Sequence, residues 1–139
     1  MPYPEQMLAP MRAELTSAGV KELRTPQQVN EFFTNTNETA LILINSVCGC
    51  AAGSARPAVR ISMDHASTPL RFATVFAGQD LEATERVRDL LGDVPPSSPS
   101  MALLKDGQLV HFVPRHMIEG RDAATIAADL TLAFDEYCN

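Results

Sequence analysis

The sequence predicts an α/β protein in which helices cover both faces of a mixed β-sheet. Thr39 to Val47 is β-branched or aliphatic at nearly every position, as a central strand buried on both faces would be. Strand-like and helix-like stretches then alternate along the chain, which favours parallel strands crossed by helices. Lys105-Asp106-Gly107 separates the apolar runs Met101 to Leu104 and Gln108 to Val113, and an Asp-Gly turn between such runs indicates a β-hairpin.

Apolar periodicity and capping residues predict the remaining elements. Met7, Leu8, Met11 and Leu15 recur at three- and four-residue steps, which predicts an amphipathic helix ending near Gly19. A second helix is predicted from Thr25-Pro26-Gln27-Gln28 to about Asn35, and a third from Gly49 to about Ala66 with a kink at Pro57. A strand from Leu70 to Phe76 follows, and then a helix from Asp80 to Leu91 whose apolar side carries Leu81, Val87, Leu90 and Leu91. A last helix is capped by Asp122 and runs through Tyr137.

Length and composition bound the class of protein. The 139 residues suit a single domain spanning 1–139, and 45% hydrophobic with 20% charged residues is ordinary for a globular chain. The net charge of −6 argues against nucleic acid and anionic membranes as partners. The amino terminus lacks a basic start followed by a continuous apolar segment, so we expect a cytoplasmic protein.

The clearest chemical signal is Cys48-Gly49-Cys50, which directly follows the predicted central strand. The end of a central strand in an α/β sheet is where reactive groups collect. If a helix begins at Gly49, its unpaired N–H groups stabilise a thiolate at Cys48 and lower its pKa. Three cysteines in a reducing compartment do not suggest a structural framework, so two of them in three residues indicate redox chemistry or metal binding.

Cys50 is close enough in sequence to attack a mixed disulfide formed on Cys48, with Gly49 permitting the bend. Residues i and i+2 of a helix do not face each other, so an internal disulfide is expected to be strained and suited to passing disulfides on. Two alternatives stay open. The pair could be half of a zinc site completed by Cys138 and one of His65, His111 or His116, or it could consist of buried structural cysteines.

Four ordered blocks, NSVCGCAAG, VFAGQD, SSPSMALLK and HFVPRHMIEG, resemble the bacilliredoxin family, and the resemblance covers essentially the whole chain. It implies a thioredoxin-like α/β/α sandwich with a central mixed β-sheet flanked by helices. It also implies thiol–disulfide exchange, in particular removal of the low-molecular-weight thiol bacillithiol from client cysteines. Disulfide isomerase or oxidant activity is the alternative that the same resemblance suggests.

The resemblance makes Cys48 the attacking thiol that takes up bacillithiol and Cys50 the resolving cysteine. Pro99 matches the cis-proline of thioredoxins, with Ser98 offering main-chain hydrogen bonds to an extended substrate. The implied partners are S-bacillithiolated client proteins, bacillithiol itself as thiol substrate and a flavin-dependent disulfide reductase. No cofactor is required, because the electrons come from thiols.

Several further residues are candidates for supporting roles. Asn45 is a polar residue in an apolar strand three positions before Cys48, and it is expected either to orient the loop or to bond neighbouring backbone. Bacillithiol carries carboxylates, so its site should contain cations or amides, for which Arg56, Arg115 and His116 are candidates. Helix packing is the preferred interpretation of Cys138.

Overall fold

A computed structural model describes residues 3–34 and 38–138. They contain five helices and five strands, together with a π-helical turn, Ala51–Ala55, and a 3₁₀ turn, Arg115–Met117. The helices are α1 Glu5–Thr16, α2 Pro26–Thr34, α3 Arg56–Ser62, α4 Leu81–Leu91 and α5 Ala123–Tyr137. The strands are β1 Lys21–Glu22, β2 Thr39–Asn45, β3 Arg71–Phe76, β4 Ser100–Lys105 and β5 Gln108–Val113.

The strands form one mixed sheet in the order β1-β3-β2-β4-β5. Strand β2 lies at the centre, parallel to β3 and antiparallel to β4, and every residue after Thr39 in it is buried. The β4–β5 hairpin turns at Asp106 and Gly107, whose φ angles of 52° and 76° are those of the left-handed turn that the sequence predicts. The α/β class, the central strand and the hairpin are therefore confirmed.

Each face of the sheet has its own core, because alternate residues of a strand point to opposite faces. Leu41 and Leu43 of β2 join a cluster that includes apolar residues of α3 and α5. Ile42 and Ile44 join a second cluster that includes residues of α2 and α4. These two layers of helices make the three-layer α/β/α sandwich, and they hold β2 rigidly between them.

The end caps agree with the sequence at two helices. The Asp122 carboxylate accepts a hydrogen bond of 2.8 Å from the N–H of Thr125 at the start of α5. At α2 the hydroxyl of Thr25 accepts from the N–H of Gln28, and the Gln28 side chain accepts from the N–H of Arg24. The predicted end of α2, Asn35, lies outside the described residues.

The predictions for two other helices need correction. Leu81 and Leu90 are exposed on α4, and its buried face carries Ala83, Thr84, Val87 and Leu91 instead. The helical segment after Cys48-Gly49-Cys50 ends at Ser62 rather than near Ala66, and it passes through the π-helical turn just before Pro57. None of the helices in the described residues is both long and apolar enough to span a membrane.

Candidate active site

The two neighbouring cysteines lie where the central strand gives way to a helix. Strand β2 ends at Asn45, and helical backbone begins at Gly49. The carbonyl oxygen of Cys48 accepts hydrogen bonds from the N–H groups of Ala51 at 3.1 Å and Ala52 at 3.2 Å. Cys48 therefore occupies the N-terminal end of the helix, as the sequence predicts, where backbone N–H groups favour negative charge.

The Cys48 sulfur is in direct contact with two polar groups. Its Sγ lies 2.8 Å from the Sγ of Cys50 and 3.1 Å from the hydroxyl oxygen of Ser46, which donates to it. Both cysteines are reduced and half-buried, whereas Gly49 between them is exposed. The i, i+2 spacing does not separate the sulfurs, because Cys48 precedes the regular helix rather than lying within it.

The pKa values of the two thiols are shifted in opposite directions. Burial alone would raise the pKa of Cys48, but hydrogen bonds from Cys50, from Ser46 and from the N–H groups of Ala51 and Cys50 outweigh it and lower that pKa below its ordinary value. Burial raises the pKa of Cys50, and the hydrogen bond and negative charge of Cys48 raise it further. Cys48 therefore loses its proton more readily than Cys50 does.

Arg115 supplies the positive charge of the site. It partly offsets the raised pKa of Cys50, and the negative charges of Cys50 and Cys48 in turn raise the pKa of Arg115. Its Nη1 donates to the carbonyl oxygen of Ser98 at 3.1 Å, and its Nε lies 3.5 Å from Glu119. Of the cations expected near the thiols, Arg115 is therefore the one that the fold brings to them.

The peptide bond between Ser98 and Pro99 is cis. Ile44 pairs with Ser100 in the antiparallel β2–β4 register, so Pro99 continues that register opposite the end of β2. This places the cis-proline segment beside the loop that carries Cys48. The Ser98 carbonyl expected to meet a substrate is occupied by Arg115 in this structure.

Asn45 and Arg56 form the support beneath this loop. Asn45 is 1% exposed, and its Oδ1 accepts from the N–H of Ser46 at 2.9 Å and from Nη1 of Arg56 at 3.0 Å. Arg56 is 2% exposed and its Nε bonds Glu14 at 3.1 Å. The expectation that Arg56 contacts carboxylates of a substrate is corrected, because its guanidinium is enclosed by the protein and its bonds are made to protein groups.

Gly49 and His116 are two further candidates, and the expectation for Gly49 needs correction. Gly49 does not adopt positive φ, and a Cβ built on it meets nothing within 4 Å apart from its two chain neighbours and the backbone of its own helix. The bend at the cysteines therefore does not require glycine. His116 lies in the 3₁₀ turn next to Arg115 and its side chain is exposed.

The proposed zinc quartet is not brought together. Cys138 lies beside Thr39, at the end of β2 opposite Cys48, and it packs against the core of the α3 and α5 face. His65 is bound to Asp135 at 2.8 Å, and His111 lies on the edge strand β5. Within residues 3–34 and 38–138, no three Cys, His, Asp or Glu side chains are grouped so as to hold a metal ion.

Ser46 is the functional candidate that the sequence analysis did not identify. Its side chain contacts the Cys48 sulfur, and the residue is only 8% exposed. The available signal was its position, since a hydroxyl residue two places before a reactive cysteine can bond locally to the backbone and to the sulfur.

Comparisons with known proteins place the chain in a family. The model of the family described as disulphide isomerase matches residues 3–138. A bacilliredoxin of Salinibacter ruber is 59% identical over 99% of this chain and 82% of its own length. A bacilliredoxin of Cytophaga hutchinsonii is 54% identical over 96% of this chain and 98% of its own.

The fold also matches solved thioredoxins. Thioredoxin O1 from Arabidopsis thaliana in its oxidized state superposes with a TM-score of 0.62 over 87% of this chain and 99% of that chain, at 11% identity. That likeness shows a shared fold. Taken with the relatives, it defines the protein as a thioredoxin-fold thiol–disulfide oxidoreductase. The chain belongs to the bacilliredoxin family.

Proposed function

We propose that the protein removes bacillithiol from S-bacillithiolated cysteines of client proteins through Cys48. The observation that carries the proposal is the contact between the Cys48 sulfur and its donors, which favours a thiolate there. A thiolate is the species that attacks a disulfide sulfur. The name of the relatives, bacilliredoxin, supports bacillithiol as the transferred thiol.

In the first step the Cys48 thiolate attacks the bacillithiol sulfur of the mixed disulfide. A bond forms between Cys48 and bacillithiol, the bond between bacillithiol and the client cysteine breaks, and the electron pair leaves on the client sulfur. The client thiolate takes its proton from solvent. The same step removes the negative charge of Cys48, which is one of the causes of the raised pKa of Cys50, so Cys50 can then lose its proton more readily.

The second step clears Cys48. The Cys50 thiolate attacks the Cys48 sulfur, which leaves the two cysteines joined and releases bacillithiol as a thiolate. A second bacillithiol can instead attack the bound bacillithiol sulfur, which releases oxidised bacillithiol and returns Cys48 as a thiolate. A flavin-dependent disulfide reductase is the class of enzyme that would reduce either disulfide product. Arg115 and His116 are the candidate contacts for the carboxylates of bacillithiol.

Disulfide isomerase activity is a second candidate, favoured by the description of the matching family. A sulfur pair already 2.8 Å apart can release a client trapped on Cys48 by closing its own disulfide. The two activities differ in what Cys48 carries, since the isomerase forms its mixed disulfide with the client cysteine and the bacilliredoxin forms it with bacillithiol.

The experiment is intact mass and peptide mapping of the reduced wild type and the Cys50→Ser variant after exposure to a bacillithiolated model protein. The proposal expects a bacillithiol adduct on Cys48 in Cys50→Ser, with release of the free client thiol, and no adduct in Cys48→Ser. A covalent complex between client and protein would favour the isomerase, and transfer retained in Cys48→Ser would refute the assignment of the attacking thiol.

A further inference from the structure

Ser46 is a buried hydroxyl residue that the two-cysteine chemistry does not use. It lies between the last residue of β2 and the cysteine loop, and it is 8% exposed. Its Oγ donates to the Cys48 sulfur at 3.1 Å and accepts from the N–H of Cys48 at 3.4 Å. Because that N–H already occupies a lone pair of the oxygen, the hydroxyl proton is free to point at the sulfur.

The backbone N–H and carbonyl groups of Ser46 are both hydrogen-bonded. Its N–H donates to Oδ1 of Asn45 at 2.9 Å, and its carbonyl oxygen accepts from Nη1 of Arg56 at 3.0 Å. The same Nη1 also donates to Oδ1 of Asn45 at 3.0 Å. These three bonds join the end of the strand, the loop and the start of α3 into one closed network.

Arg56 is itself held in place from a second direction. Its Nε bonds the carboxylate of Glu14 in α1 at 3.1 Å, and Glu14 is partly exposed whereas Arg56 is 2% exposed. A guanidinium carries its donors in a rigid planar fork, so bonds at two edges fix its orientation. The position of Nη1 beneath Ser46 is therefore set by the packing of α1 against α3.

We propose that Ser46 is a catalytic residue whose hydroxyl stabilises negative charge on the Cys48 sulfur, and that Asn45 and Arg56 are positioning residues that aim it. The inference rests on the proposed role of Cys48 as the attacking thiol, and it adds a third group to the reaction. Hydrogen bonds to a charged acceptor are stronger than neutral ones, so the bond favours the thiolate over the thiol.

The same hydroxyl acts in the first step of the exchange and in one of the two routes through the second. It favours the Cys48 thiolate before attack, and it stabilises the charge that returns to the Cys48 sulfur when a second bacillithiol attacks the bound bacillithiol sulfur. Where Cys50 attacks the Cys48 sulfur itself, the hydroxyl remains bonded to a sulfur that gains no charge, so no acceleration is expected for that route. The effect of Ser46 is thus centred on steps in which Cys48 is nucleophile or leaving group.

The test is the pH profile of Cys48 alkylation by iodoacetamide, followed by peptide mass and fragmentation. In Ser46→Ala the half-point of the profile should move upward by about one pH unit, as the loss of one hydrogen bond to a charged group implies. Ser46→Thr keeps the hydroxyl and should restore most of the shift. Ser62→Ala is the matched control, since Ser62 is a fully buried serine on α3 whose hydroxyl bonds Val59 instead.

The positioning residues are tested by the same profile. Arg56→Lys retains the charge and loses the fork, so its half-point should also rise, whereas Arg12→Lys alters another buried arginine and should leave the profile in place. If Arg56→Lys does not fold, Glu14→Gln weakens the partly exposed anchor of Arg56 and should give a smaller upward shift.

An unshifted profile in Ser46→Ala overturns the role of the hydroxyl. An unshifted profile in both Arg56→Lys and Glu14→Gln, with both variants folded, overturns the positioning role of Arg56. Alkylation needs no bacillithiol, so this test is separate from the one for the proposed function. Failure of bacillithiol transfer together with a shifted profile would refute the proposed substrate and leave the role of Ser46 standing.

Discussion

Arg115 donates from Nη1 to the carbonyl oxygen of Ser98 at 3.1 Å, which ties the turn after β5 to the residue before the cis-proline. A second bond runs from the N–H of Arg115 to the hydroxyl oxygen of Ser97 at 3.2 Å. The guanidinium that holds this segment also acts electrostatically on both cysteines. One residue therefore links the cis-proline segment to the charge of the thiols.

Replacement of Arg115 by alanine should make Cys50 harder to deprotonate. Arg115 opposes the burial and the Cys48 charge that raise the pKa of Cys50, so its loss raises that pKa further. The half-point of Cys50 alkylation should therefore move to higher pH, as measured by iodoacetamide labelling and fragmentation mass spectrometry. Arg60→Ala, an exposed arginine on α3, is the control, and equal shifts in the two variants would contradict a local effect.

Gly49→Ala should leave the protein folded and Cys48 reactive. The backbone there does not use positive φ, and the added Cβ meets no described residue within 4 Å apart from its two chain neighbours and the backbone of its own helix. Alanine in place of glycine at such a position typically stabilises by about 0.4–1 kcal/mol. Urea unfolding and the rate of Cys48 alkylation would check this.

The outcome for Gly49→Ala separates two reasons for a glycine between the cysteines. Loss of bacillithiol transfer with normal alkylation would mean that glycine is needed there for a protein client to reach Cys48. A variant that unfolds more readily, or whose Cys48 no longer reacts, would show instead that the bend itself depends on glycine.

Local signals in the sequence predicted much of the fold. The Asp106-Gly107 turn and the Asp122 cap depend on a few adjacent residues, and the uninterrupted apolar character of β2 requires a central position in the sheet. The position of Cys48 and Cys50 at the end of the central strand could be predicted for the same reason, because the strand, the thiols and the helix start are contiguous.

Features that depend on distant contacts could not be predicted in this way. Arg56 is buried because Glu14 and Asn45, which are 42 and 11 positions away, meet its guanidinium, and no local pattern indicates such partners. Leu81 and Leu90 are exposed because the packing of α4 on the sheet, rather than its own periodicity, selects the buried side. The hydroxyl of Ser46 became a candidate only once its distance to the sulfur was known.

Two leucines of α5 offer a matched test of the core. Leu130 is fully buried in the cluster under α3 and α5, whereas Leu132 is 68% exposed. Leu130→Ala should lower the free energy of unfolding by about 2–5 kcal/mol because it removes apolar contacts and leaves a cavity. Leu132→Ala should change it by less than about 0.5 kcal/mol. Urea unfolding of both variants would decide, and similar losses would mean that α5 packs differently.

The last prediction concerns acid stability at the junction of α1, β1 and α4. Arg12 is buried, and its guanidinium bonds Glu5 at 2.6 Å and Asp80 at 2.8 Å while its centre lies 5.3 Å from the ring of Phe76. The hydrogen bond from Arg12 lowers the pKa of Glu5 against a smaller opposing effect of burial. The folded state therefore holds the Glu5 proton less tightly than the unfolded chain does.

A lowered pKa in the folded state stabilises the protein at pH values above the unfolded pKa, and this contribution is lost as the pH falls through the folded pKa. Glu5→Gln should thus reduce the free energy of unfolding at pH 7 by roughly 0.2–1 kcal/mol, since Glu5 is nearly half exposed and screened by solvent. The difference from wild type should shrink below about pH 4, where the carboxyl of the unfolded chain is protonated. Glu31→Gln, an exposed residue of α2, is the control in urea titrations at both pH values. A deficit that stays constant as the pH falls would show that Glu5 contributes through packing rather than through its charge.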